Sequence, residues 1–474
     1  MSRPLPSRRP TRGPVISMVS LGCAKNTVDS ECLLGNLAGA GLVLAEDPAD
    51  SDICLVNTCG FIEAAREETA ATLRELDKLK RRGQVRAIVA LGCMVERAAK
   101  DPLLASVLDR ADARVTFAEY PRLPEICRAL HRQDTPRLAV KPTVRTDAGC
   151  GAEFLDFLAS PRARMGPVHS ACLKIAEGCS NRCAYCAIPA IRGPQVSRPP
   201  DDILREAGQL VRHGAREINL IAQDTARYGH DLPGRPRLAD LLRALGRDWP
   251  ETWFRLLYAH PRHLDDEVIR LVAGEPYLCP YLDVPLQHIA DPILQSMGRG
   301  ITKSETLALL EKIRQWMPDG ALRTTFIVGY PGETRAQFEE LLTLVREGWF
   351  THVGAFTYSR EPGIPAADLP DTIPSGEKQQ RLEELMLTQQ DMVRRRLQRH
   401  LGRETDVLVD RLGREIPDAP EGIAAAGRTR LQAPEVDGRV LLRGPLPASL
   451  REGDLLRVRL IEALDYDWLA TPAG

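Results

Sequence analysis

The amino-acid sequence predicts an α/β protein built from a doubly wound parallel sheet, a partial TIM-type barrel and a small antiparallel β-barrel. Two observations predict the sheets: short apolar runs alternate with helical stretches from Val15 onward, and the same alternation begins again at Ala171. A third observation predicts the last part. After Gly402 the chain consists of short strand-type runs separated by Gly, Pro and Asp, which is typical of a small β-barrel.

The first α/β series predicts the doubly wound sheet over residues 15–130. Strand-type runs lie at 16–21, 53–57 and 87–91, and helical stretches lie between them at 28–38 and 63–80. Buried apolar strands separated by helices form parallel sheets with right-handed crossovers. A weaker unit, with a strand at 114–117 and a helix that ends at Leu130, completes this domain.

The second series contains six repeats of strand and helix, which predict an open or partial TIM-type barrel. Its strands are expected at 172–176, 217–221, 253–258, 281–285, 323–328 and 352–358. Helical patterns fill the gaps between the strands, for instance at 201–213, 238–245, 303–316 and 335–347. In such a barrel the functional residues lie at the carboxyl ends of the strands.

The remaining segments complete a five-part organisation. Residues 1–14 carry four arginines, four prolines and no acid, and are expected to be a disordered basic arm. Residues 131–167 are expected to be a linker, and the barrel domain is placed at 168–400, ending in an amphipathic helix over 377–399. The small β-barrel is placed at 401–474, with strands at 406–410, 440–442 and 455–461.

Composition narrows the class of protein. Hydrophobic residues make up 43% and charged residues 27% of the chain, which excludes wholesale disorder. The formal net charge of −1 argues against a general nucleic-acid binder. We expect a cytoplasmic protein without a membrane span, because the sequence shows neither a secretory signal nor a long apolar run. Its 12 cysteines are then expected to be free or metal-bound rather than paired in disulfides.

Cys179, Cys183 and Cys186 form a C-x3-C-x2-C cluster. Three thiolates this close together can bind three corners of one iron–sulfur cube, and no fourth cysteine follows nearby, so the fourth iron is left for a non-protein ligand. Two alternatives remain: a zinc site completed by Cys172 or His169, and a redox C-x-x-C pair. Zinc usually takes two cysteine pairs, and the redox pair leaves Cys179 unexplained.

Cys23, Cys59 and Cys93 each come directly after an apolar strand, 36 and 34 residues apart. Equivalent positions on consecutive parallel strands lie at the same carboxyl edge of a sheet, where these folds bind ligands. A second cluster is therefore predicted. The alternative is that they are buried structural cysteines, a description that suits Cys32, Cys54 and Cys127.

The run Gly-Cys-Ser-Asn-Arg-Cys-Ala-Tyr-Cys at 178–186 resembles the signature of the radical S-adenosylmethionine (SAM) superfamily. The resemblance implies that the three cysteines hold a 4Fe–4S cluster whose open iron is chelated by SAM. It also implies that Tyr185, just before the last cysteine, lies beside the adenine of SAM.

Two cysteine triads on two α/β domains resemble the radical-SAM methylthiotransferases, which carry an N-terminal methylthiotransferase domain, a radical-SAM barrel and a C-terminal TRAM domain. Four segments look like the RimO branch, which modifies a ribosomal protein, rather than the tRNA-modifying MiaB branch. They are Val-Ser-Leu-Gly-Cys-Ala-Lys-Asn at 19–26, Val-Asn-Thr-Cys-Gly-Phe-Ile at 56–62, Pro-Leu-Gln-His at 285–288 and Ala-Pro-Glu-Val-Asp-Gly at 433–438. Ile289-Ala290 and Tyr330 depart mildly from the family's commoner residues.

The resemblance implies two 4Fe–4S clusters and two uses of SAM. One SAM gives a methyl group to sulfur held on the cluster of Cys23, Cys59 and Cys93, and another is cleaved to a radical at the cluster of Cys179, Cys183 and Cys186. The implied substrate is the β-carbon of an aspartate in small-subunit ribosomal protein S12, and the implied electron donor is a flavodoxin or ferredoxin. No general acid or base is identified. Two alternatives remain: a MiaB-type tRNA methylthiotransferase, and a non-enzymatic iron–sulfur or zinc scaffold that binds metal without cleaving SAM.

The charge of the last segment favours a protein substrate. Residues 402–474 contain 10 Arg, no Lys and 13 acids, a balance of −3, and no aromatic residue precedes Tyr466. RNA-binding β-barrels usually combine basic grooves with aromatic stacking platforms. An acidic barrel attracts a basic ribosomal protein instead, so tRNA is the weaker expectation.

Overall fold

The computed structural model describes residues 13–98, 101–132, 152–413 and 416–473. Nearly all of the predicted basic arm and residues 133–151 of the predicted linker lie outside these ranges. The chain divides into two compact units. The first runs to Met165 and includes Ala190–Gly193, and the second comprises Gly166–Pro189 and everything from Pro194 onward.

The first unit is a five-stranded parallel sheet in the order β2-β1-β3-β4-β5. Its strands are β1 (Val15–Ser20), β2 (Val43–Leu44), β3 (Ile53–Thr58), β4 (Ala87–Gly92) and β5 (Ala113–Val115). Its helices are α1 (Ala24–Gly39), α2 (Glu63–Arg81), α3 (Cys93–Ala98), α4 (Pro102–Val107), α5 (Leu123–Arg132) and α6 (Ala152–Leu158). Every residue of β3 and β4 is buried, as expected for central strands covered on both faces.

The second unit begins with a six-stranded parallel sheet in which strands β6 and β9 to β13 are neighbours in chain order. These strands are β6 (Ser170–Lys174), β9 (Glu217–Ile221), β10 (Trp253–Leu256), β11 (Leu278–Asp283), β12 (Ala321–Val328) and β13 (His352–Thr357); β7 (Ala176–Glu177) and β8 (Val196–Ser197) form a separate pair. Helix α7 (Ile188–Arg192) begins in this unit, but its residues from Ala190 onward group with the first unit. The other helices are α8 (Pro200–Arg212), α9 (Leu238–Asp248), α10 (Asp266–Gly274), α11 (Asp291–Ser296), α12 (Lys303–Trp316), α13 (Arg335–Arg346) and α14 (Ser375–Gln398). This open arrangement confirms the predicted partial barrel.

The second unit ends in a closed five-stranded barrel in the order β14-β15-β16-β18-β17. Its strands are β14 (Glu404–Leu412), β15 (Ile423–Arg428), β16 (Val440–Arg443), β17 (Leu455–Ala463) and β18 (Trp468–Pro472). Val393 and Leu397 of α14 pack into its core, and the Trp468 indole N–H donates to the Leu397 carbonyl over 3.1 Å. The barrel is mainly antiparallel, as predicted, with one parallel pairing between β16 and β18.

A buried charge network joins this barrel to the parallel sheet. Glu217, the first residue of β9, contacts Arg255 of β10 at 2.8 Å and Arg428 of β15 at 2.8 Å. Arg428 also donates to Asp410 of β14 over 2.8 Å. Burial alone raises the pKa of Glu217, but the charges of Arg428 and Arg255 outweigh it and lower that pKa to about 2. The small barrel is therefore docked at the amino ends of the strands.

The sequence missed several elements. β15 consists largely of Ala and Gly, and β18 ends in Pro472, so neither has the apolar alternation that predicts a strand. The helix α6 falls inside the segment predicted to be a linker. No helix in the described ranges is long and apolar enough to cross a membrane.

Candidate metal centres

Cys23, Cys59 and Cys93 lie where the sequence places them, directly beyond the carboxyl ends of β1, β3 and β4 or within three residues of them. The strand order reverses between β1 and β3, which is where open α/β sheets form their ligand-binding crevice. Cys59 and Cys93 are buried, whereas Cys23 is exposed. The fold thus brings three free thiols to one edge of the first unit.

Gly22 lets the loop after β1 approach Cys59. Its φ of +91° is in the region that favours glycine, and a Cβ atom at this position would lie 2.8 Å from the Cys59 Cβ and 2.9 Å from its Sγ. Cys23 then caps the N-terminus of α1 without making a capping hydrogen bond through its side chain.

Asn26 ties together the loops that carry the first triad. Its Nδ2 donates to the carbonyls of Leu21, over 3.0 Å, and Thr58, over 3.3 Å. The Asn57 Nδ2 donates back to the Asn26 carbonyl over 2.9 Å. The loops that follow β1 and β3 are therefore held at a fixed separation by buried polar bonds.

The pKa of the Cys93 thiol is raised to about 12, mainly by burial; Arg192 opposes this shift, and Cys23 and Cys59 contribute to it. Burial also raises the pKa of Cys59, with Cys23 contributing in the same direction. Three thiolates so close to one another need a cation to compensate their charge. Three cysteine thiols and the close approach at Gly22 fit an iron–sulfur cluster. The thiols lose their protons when such a cluster binds.

Cys179, Cys183 and Cys186 follow β6 and the short strand β7. The Cys186 amide donates to the Cys183 carbonyl over 3.1 Å, so the last four residues of the motif form a turn. The pKa of Cys186 is raised to about 12, mainly by burial, with Cys183 and Cys179 contributing in the same direction. Burial raises the pKa of Cys179 as well. This second group of three neighbouring thiols also fits the predicted cluster.

The segment after α11 holds the second cysteine loop in place. The Ala184 amide donates to the Met297 carbonyl over 2.9 Å. Gly298 has φ of +67°, and a Cβ there would lie 2.8 Å from the Arg182 carbonyl oxygen. Arg299 donates to the Cys183 Sγ over 3.4 Å and to the Tyr185 hydroxyl over 3.1 Å. Sequence reasoning missed Arg299, because a lone arginine after a glycine gives no signal of its own.

Tyr185 lies beside the cysteines and is partly buried against the cluster of apolar side chains around Met297 and Tyr330. Burial raises its pKa well above the ordinary value, so the hydroxyl keeps its proton. Its hydroxyl is held by Arg299. The proposed contact of this ring with adenine stays a prediction.

Polar residues from the neighbouring strands support the same loop. Asn181 donates to Asp224, which follows β9, over 2.8 Å, and its Oδ1 lies 2.9 Å from the Nε2 of His263, which follows β10. Burial lowers the pKa of His263 to about 4 and that of His260 to about 2, with nearby arginines contributing. Both imidazoles are therefore neutral near pH 7.

A buried ion pair precedes Cys179. Lys174 donates to Glu177 over 2.6 Å, and both side chains are fully buried. The other oxygen of Glu177 accepts from the Gly178 amide over 3.0 Å and from the Gln223 side chain. The pair fixes the backbone that leads into the cysteine loop. It was not predicted, since Lys and Glu three residues apart usually lie on a solvated surface.

The segment 285–288, noted above for its likeness to the family, meets the segment 329–333 in the second unit. The Nε2 of His288 lies 3.1 Å from the Glu333 Oε1, and Arg381 donates to the Glu333 Oε2 over 2.7 Å. All three residues are buried. Their loops follow β11 and β12, at the same carboxyl edge as the cysteine loop. Tyr330 is fully buried and packs edge-on against Tyr358.

His169, one of the two residues considered as a fourth zinc ligand, lies away from the second cysteine triad. His169 precedes β6, at the end of that strand opposite to Cys179, and its Nε2 lies 3.0 Å from Asp410. Among the described residues, no three His, Cys, Asp or Glu side chains converge as a single metal ion requires. In an iron–sulfur cube each thiolate binds a different iron atom, so its cysteines do not converge in that way. Cys32, Cys54 and Cys127 are buried in the first unit, as the structural description predicts.

Family models match three parts of the chain. Residues 15–110 match the uncharacterized protein family UPF0004, residues 173–345 match the radical SAM superfamily, and residues 401–472 match the TRAM domain. The second match contains Cys179, Cys183 and Cys186. The first contains Cys23, Cys59 and Cys93.

Curated relatives resemble the chain over almost its whole length. It is 40% identical to the ribosomal protein uS12 methylthiotransferase RimO of Geobacter sulfurreducens, over 95% of this chain and 97% of that protein. The RimO of Desulforamulus reducens is 40% identical over 96% of this chain and 98% of its own. The RimO of Anaeromyxobacter sp. strain K is 41% identical, over 95% and 92% respectively.

Solved structures share the fold at low identity. The radical SAM methyltransferase TsrM of Kitasatospora setae, with cobalamin and a [4Fe-4S] cluster bound, superposes with a TM-score of 0.54 at 15% identity. The match covers 75% of this chain and 74% of that one. This likeness supports the arrangement of strands and helices described above.

Proposed function

The chain belongs to the RimO family of ribosomal protein uS12 methylthiotransferases, and we propose that its two cysteine sites have different roles in the reaction. The protein is a radical-SAM methylthiotransferase that acts on uS12. We assign Cys179, Cys183 and Cys186 to a 4Fe–4S cluster that binds SAM. We assign the first triad, Cys23, Cys59 and Cys93, to a second 4Fe–4S cluster that presents sulfur.

One observation carries the second assignment. Three free thiols follow strands at the reversal point of the first sheet, and Gly22 provides the close approach that brings Cys23 beside Cys59. Nothing in the packing of a parallel sheet requires three cysteines at this edge. A ligand that binds several thiolates at once explains both why cysteines occupy these three positions and why position 22 is a glycine.

The cofactors supply the difficult chemistry: when bound, the clusters and SAM provide the electron, the radical and the sulfur needed to functionalise an unactivated carbon. The chain's own residues orient them. Arg299 holds Cys183 and Tyr185, and Asn181 anchors the motif to Asp224. We assign the Tyr185 ring to the adenine of SAM. We assign no side chain as general acid or base.

We propose that the modified atom is the β-carbon of an aspartate in uS12. The acidic balance of the C-terminal barrel supports a basic protein partner over tRNA. A flavodoxin or ferredoxin is the proposed electron donor, and the cytoplasm, where ribosomes are assembled, is the proposed location.

Iron content tests the two-cluster assignment. Anaerobically reconstituted protein is expected to bind about eight irons per chain, and about four if only one cube forms. Replacing all three residues of the first triad by serine should leave about four. A wild-type value near four, unchanged by that replacement, contradicts the second cluster.

A competition experiment tests the substrate. The reconstituted enzyme is incubated with SAM, sulfide and reductant in the presence of both purified uS12 and tRNA, and both products are analysed by mass spectrometry. We expect methylthio on the uS12 aspartate and none on tRNA. Modification of tRNA alone would establish the MiaB-type activity instead.

A further inference from the structure

Arg192 places a buried positive charge against one cysteine of the first site. It belongs to the Ala190–Gly193 segment that groups with the first unit, and only 1% of its surface is exposed. Its Nη2 lies 3.4 Å from the Cys93 Sγ and donates to the Asn26 Oδ1 over 2.7 Å. The guanidinium also lies 4.9 Å from the centroid of the Phe117 ring. A guanidinium this deeply buried needs a reason beyond solubility.

Asp29 accompanies this charge. Its Oδ2 accepts from the Arg192 Nη2 over 2.9 Å, and the carboxylate is fully buried. The pair is neutral as a whole, which offsets much of the cost of burying each ion. The same guanidinium nitrogen contacts both the carboxylate and the sulfur. Cys93 therefore receives a charged hydrogen-bond donor whose strength the carboxylate moderates.

We propose that Arg192 is a positioning residue that raises the reduction potential of the first cluster through its hydrogen bond to Cys93, and that Asp29 limits this effect. The inference rests on the proposed assignment of Cys93 as an iron ligand. A donor or positive charge near a ligating sulfur stabilises the reduced, more negative state of the cluster. A carboxylate close to the same donor has the opposite influence.

The alternative is that Arg192 only packs the edge of the sheet, using its bonds to Asn26 and Asp29. Such a role predicts loss of stability or of iron when Arg192 is replaced. It does not predict that the joint replacement of Arg192 and Asp29 lowers the potential of a cluster that still binds iron. The shift in the double variant therefore separates the two roles.

The test uses full-length protein in which Cys179, Cys183 and Cys186 are replaced by serine, so that only the first cluster contributes. Three variants are compared in this background: Asp29→Asn, Arg192→Lys, and the double variant Arg192→Met with Asp29→Asn, which avoids an unpaired buried carboxylate. Arg128→Met is the matched control, since Arg128 is a partly buried arginine of the same unit that donates to a backbone carbonyl. Midpoint potentials come from a redox titration followed by electron paramagnetic resonance.

We expect Asp29→Asn to raise the potential and the double variant to lower it, each by about a tenfold change in the ratio of reduced to oxidised cluster, or about 59 mV for one electron. Arg192→Lys should remain near the parent because it keeps the charge, and Arg128→Met should not change it. An unchanged or lowered potential in Asp29→Asn overturns the role of the pair. If the parent background binds no iron, the assignment of the first triad fails instead.

Discussion

At the residue scale, the glycine at position 22 matters as much as the cysteines of the first site. Gly22 faces the Cys59 side chain at a distance that no Cβ atom could occupy. Gly41, in the same unit, has a comparable φ of +77° but no atom within 4 Å of its would-be Cβ. A substitution at Gly41 therefore measures the cost of backbone strain alone. A substitution at Gly22 adds the cost of a collision with Cys59.

We expect Gly22→Ala to lose the first cluster while the fold persists. Alanine in the left-handed region costs about 1–2 kcal/mol at either position, but only at position 22 does the methyl group displace Cys59. Iron analysis should give about four irons for Gly22→Ala and about eight for Gly41→Ala. Equal iron content in the two variants would show that the close approach is not needed.

Sequence reasoning identified the cysteines but not the residues that hold them. The six thiols were found because their spacing and their positions after strands repeat. Arg192, Arg299 and Asn26 act through contacts with residues far away in the chain, and no local pattern marks such contacts. A buried arginine near a cysteine can be recognised only once the fold has brought the two together.

At the element scale, the strand positions followed from apolar periodicity wherever strands were buried in a parallel sheet. The C-terminal barrel was harder, because β15 and β18 rely on neighbours rather than on their own pattern. Charged residues in buried strands are hard to recognise for the same reason. Glu217, Arg255 and Arg428 lie within or at the ends of strands, and their ion pairs with other strands stabilise them there. Their residue types alone predict an exposed position.

Glu217 should make stability fall in acid. Its pKa is about 2 in the folded protein against 4.5 when unperturbed. A lowered pKa contributes stability that is present above pH 4.5 and lost as the pH falls toward 2, with a full size of about 3 kcal/mol.

Urea unfolding at several pH values measures the stability contributed by Glu217. The difference in stability between the wild type and Glu217→Gln should be constant above pH 5 and should narrow as the pH falls below 4.5. Glu311→Gln, on the exposed face of α12, is the control. A difference that stays the same from pH 7 to pH 3 would contradict the linkage.

At the scale of the whole molecule, the balance of charge on the C-terminal barrel is expected to guide the substrate. Glu462 and Asp465 are exposed acids near the end of β17. Replacing both by lysine should raise the KM for uS12 about fivefold, or about 1 kcal/mol, because surface charges contribute modestly to encounter. The kcat should not change.

Steady-state kinetics with purified uS12 measures both constants. Glu311→Lys, which adds the same kind of charge elsewhere on the second unit, serves as the control and should leave the KM unaltered. A KM that rises equally in all variants would mean that net charge, and not this barrel face, governs binding.

We propose that the two cysteine triads perform separate parts of one reaction. This division predicts a specific failure when Cys59 is replaced by serine and the second triad is left intact. The buried Cys127, which is not assigned to either site, provides the control as Cys127→Ser.

The most direct measurement follows two products in one reaction mixture of enzyme, SAM, sulfide, reductant and uS12: deoxyadenosine from SAM cleavage and methylthio on the uS12 aspartate. We expect Cys59→Ser to form deoxyadenosine without methylthiolated uS12, and Cys127→Ser to form both. If Cys59→Ser produces methylthiolated uS12 at the wild-type rate, the first triad is not required for transfer of the methylthio group.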